Sequence, residues 1–403
     1  MKKLVYIVSL ICIAGLLQFS CTSTVKKSTS ESDGFSKDSL EVACEKLQSY
    51  IDEGNTAGIS VMVVKNNQTM LKRNFGYADL ENKKPMEDNT IFRIFSMTKP
   101  ITAAALMTMY DEGKFQLDDE VAKYIPEFDE TPVYNPETKQ LEPQKIKMTI
   151  RHLLTHTAGF TYGWDQKAYV DSLYRATGAS GWDEPLGEKI KILAKIPLKH
   201  QPGTTYEYSV SIDVAGYLCE VLSGMPLDQF FKTRIFEPLK MEDSGFYVPE
   251  EKHSRLALLY NKTPEGKLKG PDNPEDDNFR KPVILFSGGG GMVSTADDYS
   301  KFGRMLINGG ELDGVRVLKE ETVKMIMSNQ LPEGVNYDNG GWYGLGGSVN
   351  KENGRYGWSG AASTHFVADP ENKMVILAFT QLMPFNIGYA VQFVNNVEDA
   401  LIK

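Results

Sequence analysis

Thr90-Ile91-Phe92-Arg93-Ile94-Phe95-Ser96-Met97-Thr98-Lys99-Pro100-Ile101-Thr102-Ala103-Ala104-Ala105-Leu106-Met107-Thr108-Met109-Tyr110 joins an extended apolar stretch to a strongly helical run, with Ser96 at the junction. Residues three apart share one helical face, so Lys99 lies one turn from the Ser96 hydroxyl. A serine needs such a partner to become nucleophilic. Pro100 falls in the first turn, where its missing N–H costs little. A serine at a helix N-terminus stands beside unpaired backbone N–H groups that suit a developing oxyanion. The same position equally suits a plain helix cap. Ser-x-x-Lys also occurs at Ser23 to Lys26 and Ser348 to Lys351, but only Ser96 opens a long apolar helix.

Outward from this junction, the chain reads as strands at both ends with helices between. Ser39 to Glu53 has helical spacing, and Ile59 to Lys65 with Thr69 to Gly76 flank the turn Asn66-Asn67 as a hairpin. Ser96 to about Glu333 is mainly helical. Strands return at Tyr343 to Val349, Gly354 to Trp358, Thr364 to Ala368 and Met374 to Thr380, and Asn386 to Ile402 is a helix. The expected fold is mixed α/β (α+β): one antiparallel sheet built from both chain ends, flanked by helices, with a helical region of about 97–335 inserted. There is no internal repeat. Gly288 to Gly291 lacks the Lys-Ser/Thr ending of a phosphate loop and reads as a conformationally demanding turn.

With 403 residues and 41% hydrophobic content, the chain can bury one large core or two modest ones. Its net charge of -9 and the lack of a basic run outside the extreme N-terminus argue against a nucleic-acid partner. Met1-Lys2-Lys3 and the apolar run Leu4 to Leu17 have the form of an export signal, 1–20. Leu17-Gln18-Phe19-Ser20-Cys21 resembles a bacterial lipoprotein processing site, with Cys21 as the lipidated residue and Gln18 where leucine is usual, so cleavage without lipidation stays open. The expectation is a protein exported from a bacterial cell to the periplasm or envelope and held to a membrane at Cys21. Residues 21–38 read as a flexible tether and 39–403 as the catalytic domain. Cys44 and Cys219 fall in helical patterns and are expected to be buried free thiols. No metal-ligand spacing or cofactor motif occurs.

Gln201-Pro202-Gly203-Thr204-Thr205-Tyr206-Glu207-Tyr208-Ser209-Val210-Ser211-Ile212-Asp213-Val214-Ala215-Gly216 resembles the second motif of the serine β-lactamase-like family (class C β-lactamase and penicillin-binding-protein-like fold), with Tyr208 as its tyrosine. Trp358-Ser359-Gly360 resembles the third. Arg151 to Gly159, Ile235 to Leu239 and Gly288 to Asp298 are similar to further family segments, so the resemblance runs from about Ser39 to Lys403. It implies a site in the cleft between sheet and helical region, with an acyl-enzyme on Ser96. Lys99 and Tyr208 would share the proton work, and the backbone N–H groups of Ser96 and Ala361 would form the oxyanion hole. Free tyrosine and lysine titrate near about 10 and 10.4, so neither is a base at neutral pH unless the two act as a coupled pair.

Two departures bear on substrate. Val210 stands where many β-lactamases and D,D-peptidases have asparagine, and Trp358 stands where they place a basic residue or histidine to meet a substrate carboxylate. An indole has no such charge. Tyr-Ser-x-x-x-Asp-x-x-Gly with Trp-x-Gly is similar to the family's esterase and acyltransferase branch. That implies a small-molecule ester or thioester as acyl donor and water or an alcohol as acceptor, with no cofactor. The competing readings are a D,D-peptidase or β-lactamase acting on cell-wall-like amides, and a silent binding protein. Trp164 and Trp182 are expected, with Trp358, Ser359 and Gly360, to wall the substrate pocket. His152 and His156 read as packing or hydrogen-bonding residues on a short helix, and His365 as a neighbour of the third motif.

Overall fold

The structure, a computed structural model, describes residues 34–338 and 340–402. The export signal and Cys21 lie outside them. Helix α1 (Lys37–Asp52) is capped by Ser36, whose hydroxyl accepts from the Ser39 N–H. Order therefore begins before Ser39. Phe35 is buried and bridges Leu401, and the Ser36 N–H donates to Ala400 at 2.8 Å. Phe35 and Ser36 are thus held against the C-terminal end of the chain, and Lys37 and Asp38 form the exposed first turn of α1, within the range expected as tether. An apolar ring and a capping serine at the end of that polar segment account for the difference.

An antiparallel sheet of eight strands forms the scaffold. In chain order they are β1 (Gly58–Lys65), β2 (Gln68–Asp79), β3 (Lys84–Pro85), β4 (Trp342–Tyr343), β5 (Ser348–Val349), β6 (Tyr356–Gly360), β7 (Thr364–Asp369) and β8 (Met374–Phe379). Across the sheet the order is β4-β5-β6-β7-β8-β1-β2-β3, so strands from the two chain ends meet at β8 and β1. Asn66 and Asn67, both at positive φ, make the two-residue turn that twists with the flanking strands. The single strand expected over Tyr343 to Val349 is instead β4 and β5, folded back at Gly344 to Gly347 with Gly346 at φ +75°. Gly354 lies in a turn at φ +69°, which moves β6 two residues later than its sequence pattern suggests.

β1 is buried along nearly its whole length because both sheet faces are covered. Ile59, Val61 and Val63 pack with α1 and the C-terminal helix, while Met62 and Val64 face the main core. That main core contains the inserted helical region. Its helices include α2 (Thr98–Asp111), α3 (Ile150–Leu154), α4 (Tyr169–Thr177), α5 (Leu186–Leu193), α6 (Ser211–Ser223) and α7 (Ala296–Ile307); the C-terminal helix is α8 (Gly388–Asp399). α2 is buried all round from Thr98 to Met109, as its largely apolar composition demands, and its buried Thr102 and Thr108 hydroxyls donate to backbone carbonyls. Cys44 and Cys219 are buried free thiols.

His152 caps the start of α3 reciprocally: the Thr149 N–H donates to its Nδ1 at 3.2 Å, and Thr149 accepts the His152 N–H. Burial lowers the pKa of this ring to about 4. The folded value lies below the roughly 6.5 of an unfolded chain, so stability is complete above about pH 6.5 and is lost as pH falls toward 4. Melting temperatures measured from pH 7 to 4 are expected to fall less steeply for His152→Asn, whose amide oxygen can accept the same N–H. The wild-type excess should approach about 1.4 kcal/mol per pH unit at most.

Candidate active site

Phe95 adopts φ +39°, a left-handed conformation that a bulky residue rarely takes. Its ring is held edge-on against Phe279 at 5.6 Å, and the Ile94 N–H donates to Met292 at 3.0 Å. This kink ends the extended segment and sets Ser96 in a short 3-10 turn, Phe95–Met97, that leads into α2. Lys99 then falls on the same side as Ser96. Its Nζ donates to Ser96 Oγ at 3.2 Å and to the Gly289 carbonyl at 2.6 Å, with no exposed surface.

Tyr208 reaches Ser96 from the loop that precedes α6, donating to Oγ at 2.7 Å. Lys99 Nζ stands 4.5 Å from the centre of the Tyr208 ring, so the three side chains form one hydrogen-bonded cluster. Behind them, Asp213 on α6 accepts from Ser287 at 2.6 Å and from the Gly289 N–H at 3.1 Å. Gly289, whose carbonyl accepts from Lys99, is thereby tied through its N–H to α6. Lys189 balances this buried carboxylate at 3.7 Å. Gly288 owes its lack of a side chain to close approach: a Cβ there would meet the Ile212 carbonyl at 2.8 Å and the Gly216 Cα at 3.3 Å. None of Gly288 to Gly291 has positive φ; they form a turn closed on the Ser287 carbonyl, in which Gly288 meets the α6 backbone, Gly289 the Asp213 side chain, and Gly291 would clash with Phe246 and Ser287 if it carried a Cβ.

The third motif meets this group from the sheet. A Cβ at Gly360 would overlap the Ile94 carbonyl oxygen, so only glycine lets β6 lie against the segment carrying Ser96. Trp358 packs 5.6 Å from Tyr208, and its buried Nε1 has no partner among the described residues. Ala361 follows in the turn closed by the Ser363 N–H donating to Gly360 at 2.9 Å. Ser96, Tyr208, Trp358, Ser359 and Ala361 all line one cleft of about 1320 Å³. Trp164 and Trp182 stand at its exposed mouth, and Trp164 stacks on Tyr162 at 4.8 Å. Ser359 Oγ bonds His365 Nδ1 at 2.8 Å. Val210 is fully buried in the main core and does not line the cleft.

His156 lies past the end of α3, not on it, at φ +54°. Its Nδ1 accepts from the Ser209 N–H at 3.2 Å, and its ring packs 4.8 Å from Tyr208. Burial, with the nearby Lys99 charge, holds its pKa well below the usual histidine value, so the ring stays neutral. Burial and the neighbouring Tyr208 and Asp213 push the Tyr162 phenol well above its usual value. Among the described residues, no cluster of His, Cys, Asp or Glu is arranged to hold a metal ion.

The Beta-lactamase family model matches residues 45–394. The chain belongs to this family. It is 32% identical over 369 residues to Protein Rv1367c of Mycobacterium tuberculosis, covering 84% of this chain and 89% of that protein. It is 30% identical over 284 residues to Esterase EstB of Burkholderia gladioli, covering 66% and 70%. Among solved structures it resembles EstCE1, a hydrolase with promiscuous acyltransferase activity, at 28% identity and a TM-score of 0.75, covering 91% of this chain and all of that one. The mixed α/β fold expected from the sequence is that of this family. The packing of His156 against Tyr208 and the link from Asp213 through Gly289 to Lys99 had no local sequence signal, because each joins segments far apart in the chain.

Proposed function

We propose that this protein is a serine esterase or acyltransferase that forms an acyl-enzyme on Ser96 and passes the acyl group to water or an alcohol. The observation that carries the reading is Ser96 Oγ held at once by Lys99 and Tyr208 at the floor of an open cleft. In the first step the Ser96 proton passes to the Lys99–Tyr208 pair as Oγ bonds the ester carbonyl carbon. The backbone N–H groups of Ser96 and Ala361 hold the resulting oxyanion. The pair then protonates the departing alkoxide, and the same steps in reverse deliver the acyl group to the acceptor. Similarity to an esterase and to a hydrolase with acyltransferase activity supports this class of reaction. Ester over amide is supported by the indole at the head of the third motif, which offers a substrate carboxylate no charge, and by the burial of Val210 away from the cleft.

Purified protein is tested with p-nitrophenyl esters, a cephalosporin and a D-Ala-D-Ala peptide, reading turnover and intact mass. Ester turnover with a mass adduct on Ser96 is expected. Preferential turnover of the cephalosporin or the peptide would overturn the ester assignment, and an added alcohol that diverts product to a new ester identifies transfer.

Export and a lipid anchor at Cys21 belong to the same proposal. The charged start and apolar run of 1–20 support it. No described helix is long and apolar enough to cross a membrane. Intact mass of the mature protein from the native host is expected to show residue 21 as the first, with added acyl chains that vanish in Cys21→Ser; an unprocessed Met1 start would refute export by this signal.

A further inference from the structure

The cleft is not confined to the sheet face that carries Ser96, Tyr208 and Trp358. Side chains alternate along a strand, so Trp358 and Ser359 point to opposite faces. Ser359 pairs with His365, and His365 with Ala378, which packs with α1 and α8 on the far face. Val367 and Val394 of α8 belong to that same layer. Yet Ser359, His365, Val367 and Val394 line one continuous cleft with Ser96.

The passage is open because β6 loses a neighbour. Its pairs with β5 end at Gly357, and Trp358 to Gly360 pair only with β7. Past this gap Phe385 and Ile387 continue an apolar wall with Val367 and Val394, and Phe385 is 51% exposed. At the far end Arg355 binds Asp369 at 2.8 Å and also pairs with Glu398, while Lys351 and Glu352, one cation and one anion adjacent in the chain, stand exposed at the rim. Burial lowers the His365 pKa to about 4, so at neutral pH that ring adds no charge.

We propose that this second arm, on the face of the sheet opposite Tyr208, is a subsite for an uncharged alkyl chain attached to the ester group held at Ser96. The inference rests on Ser96 as the acylated residue. An apolar wall continuous with the reacting centre favours each further methylene by about fourfold in binding. The chain belongs either to the acyl group or to the alcohol, and the two are separable by experiment.

Two substrate series are compared in wild type, Val394→Trp, which fills the arm, and Phe385→Ala, which trims an exposed wall without touching the core. One series is p-nitrophenyl esters from acetyl to decanoyl, the other n-alkyl acetates from ethyl to decyl. In one of them kcat/KM is expected to rise with chain length in wild type. Val394→Trp should lower the longest member about tenfold or more while the shortest changes less than about twofold, and Phe385→Ala should lower it about threefold. The series that flattens tells which side of the ester enters the arm. Length dependence surviving in both series for both variants overturns the proposal. A separate calorimetric titration of 1-decanol onto Ser96→Ala, with and without Val394→Trp, needs no turnover. Binding abolished by the tryptophan supports the arm, and absent binding or equal binding to both proteins refutes it. Wild-type acetate turnover that survives Ser96→Ala would instead refute the acyl-enzyme assignment.

Discussion

Ser96→Ala is expected to lower kcat/KM on p-nitrophenyl butyrate by about 10⁴-fold or more and to abolish any acyl adduct in the mass spectrum. The substitution removes one hydroxyl from the lining of a cleft. Lys99 keeps the Gly289 carbonyl at 2.6 Å, and Tyr208 borders the open cleft, so no buried donor is stranded. The melting temperature should therefore stay close to that of the wild type, which separates a chemical loss from a folding defect. The most pointed alternative nucleophile is Ser359, bonded to His365 at 2.8 Å. Turnover that survives Ser96→Ala and disappears in Ser359→Ala would move the reaction to the third motif.

Tyr208→Phe is expected to lower kcat by about 10² to 10⁴, with KM changed less than about threefold. The phenyl ring keeps the packing against His156 at 4.8 Å, Tyr162 at 5.3 Å and Trp358 at 5.6 Å, and it keeps Lys99 over its face at 4.5 Å. Only the hydroxyl that donates to Ser96 is lost. Lys99 Nζ still reaches Ser96 Oγ in this variant, so the loss falls on the share of proton transfer that passes through the phenol. An unchanged rate would leave Lys99 as the sole proton carrier.

Much of this site was legible because its chemistry follows local rules. Helical spacing alone places Lys99 beside Ser96, and the apolar continuity of α2 distinguishes this Ser-x-x-Lys from the two others. The order of Ser96, Tyr208 and Trp358 pointed to one cleft, and the structure brings all three to it. The sheet was legible because its two central strands, β1 and β8, carry apolar runs at Val61 to Val64 and Met374 to Phe379. Short edge strands were less so. β4 and β5 were merged, since two strands of two residues each leave no periodicity to read.

The glycines show the same boundary from the other side. A run of four at Gly288 to Gly291 announces an unusual backbone, but whether the cause is positive φ or a close neighbour depends on what packs against it. For Gly288 the neighbour is α6, more than seventy residues earlier in the chain, and Asp213 on that helix holds the N–H of Gly289, whose carbonyl accepts from Lys99. Gly360 likewise looks like an ordinary motif residue until Ile94 is placed against it. Val210 could be recognised as a missing amide, yet its burial in the core depends on how α6 is turned.

Residue type and short-range period placed Lys99 beside Ser96 and left Trp358 without a charge, because those properties reside in single residues or in one turn of helix. The shape of the cleft was decided only by assembly. The neutral His156 behind Tyr208, the Asp213–Gly289–Lys99 link and the arm reaching past β6 each depend on desolvation and contact between segments distant in the chain, which no local pattern encodes.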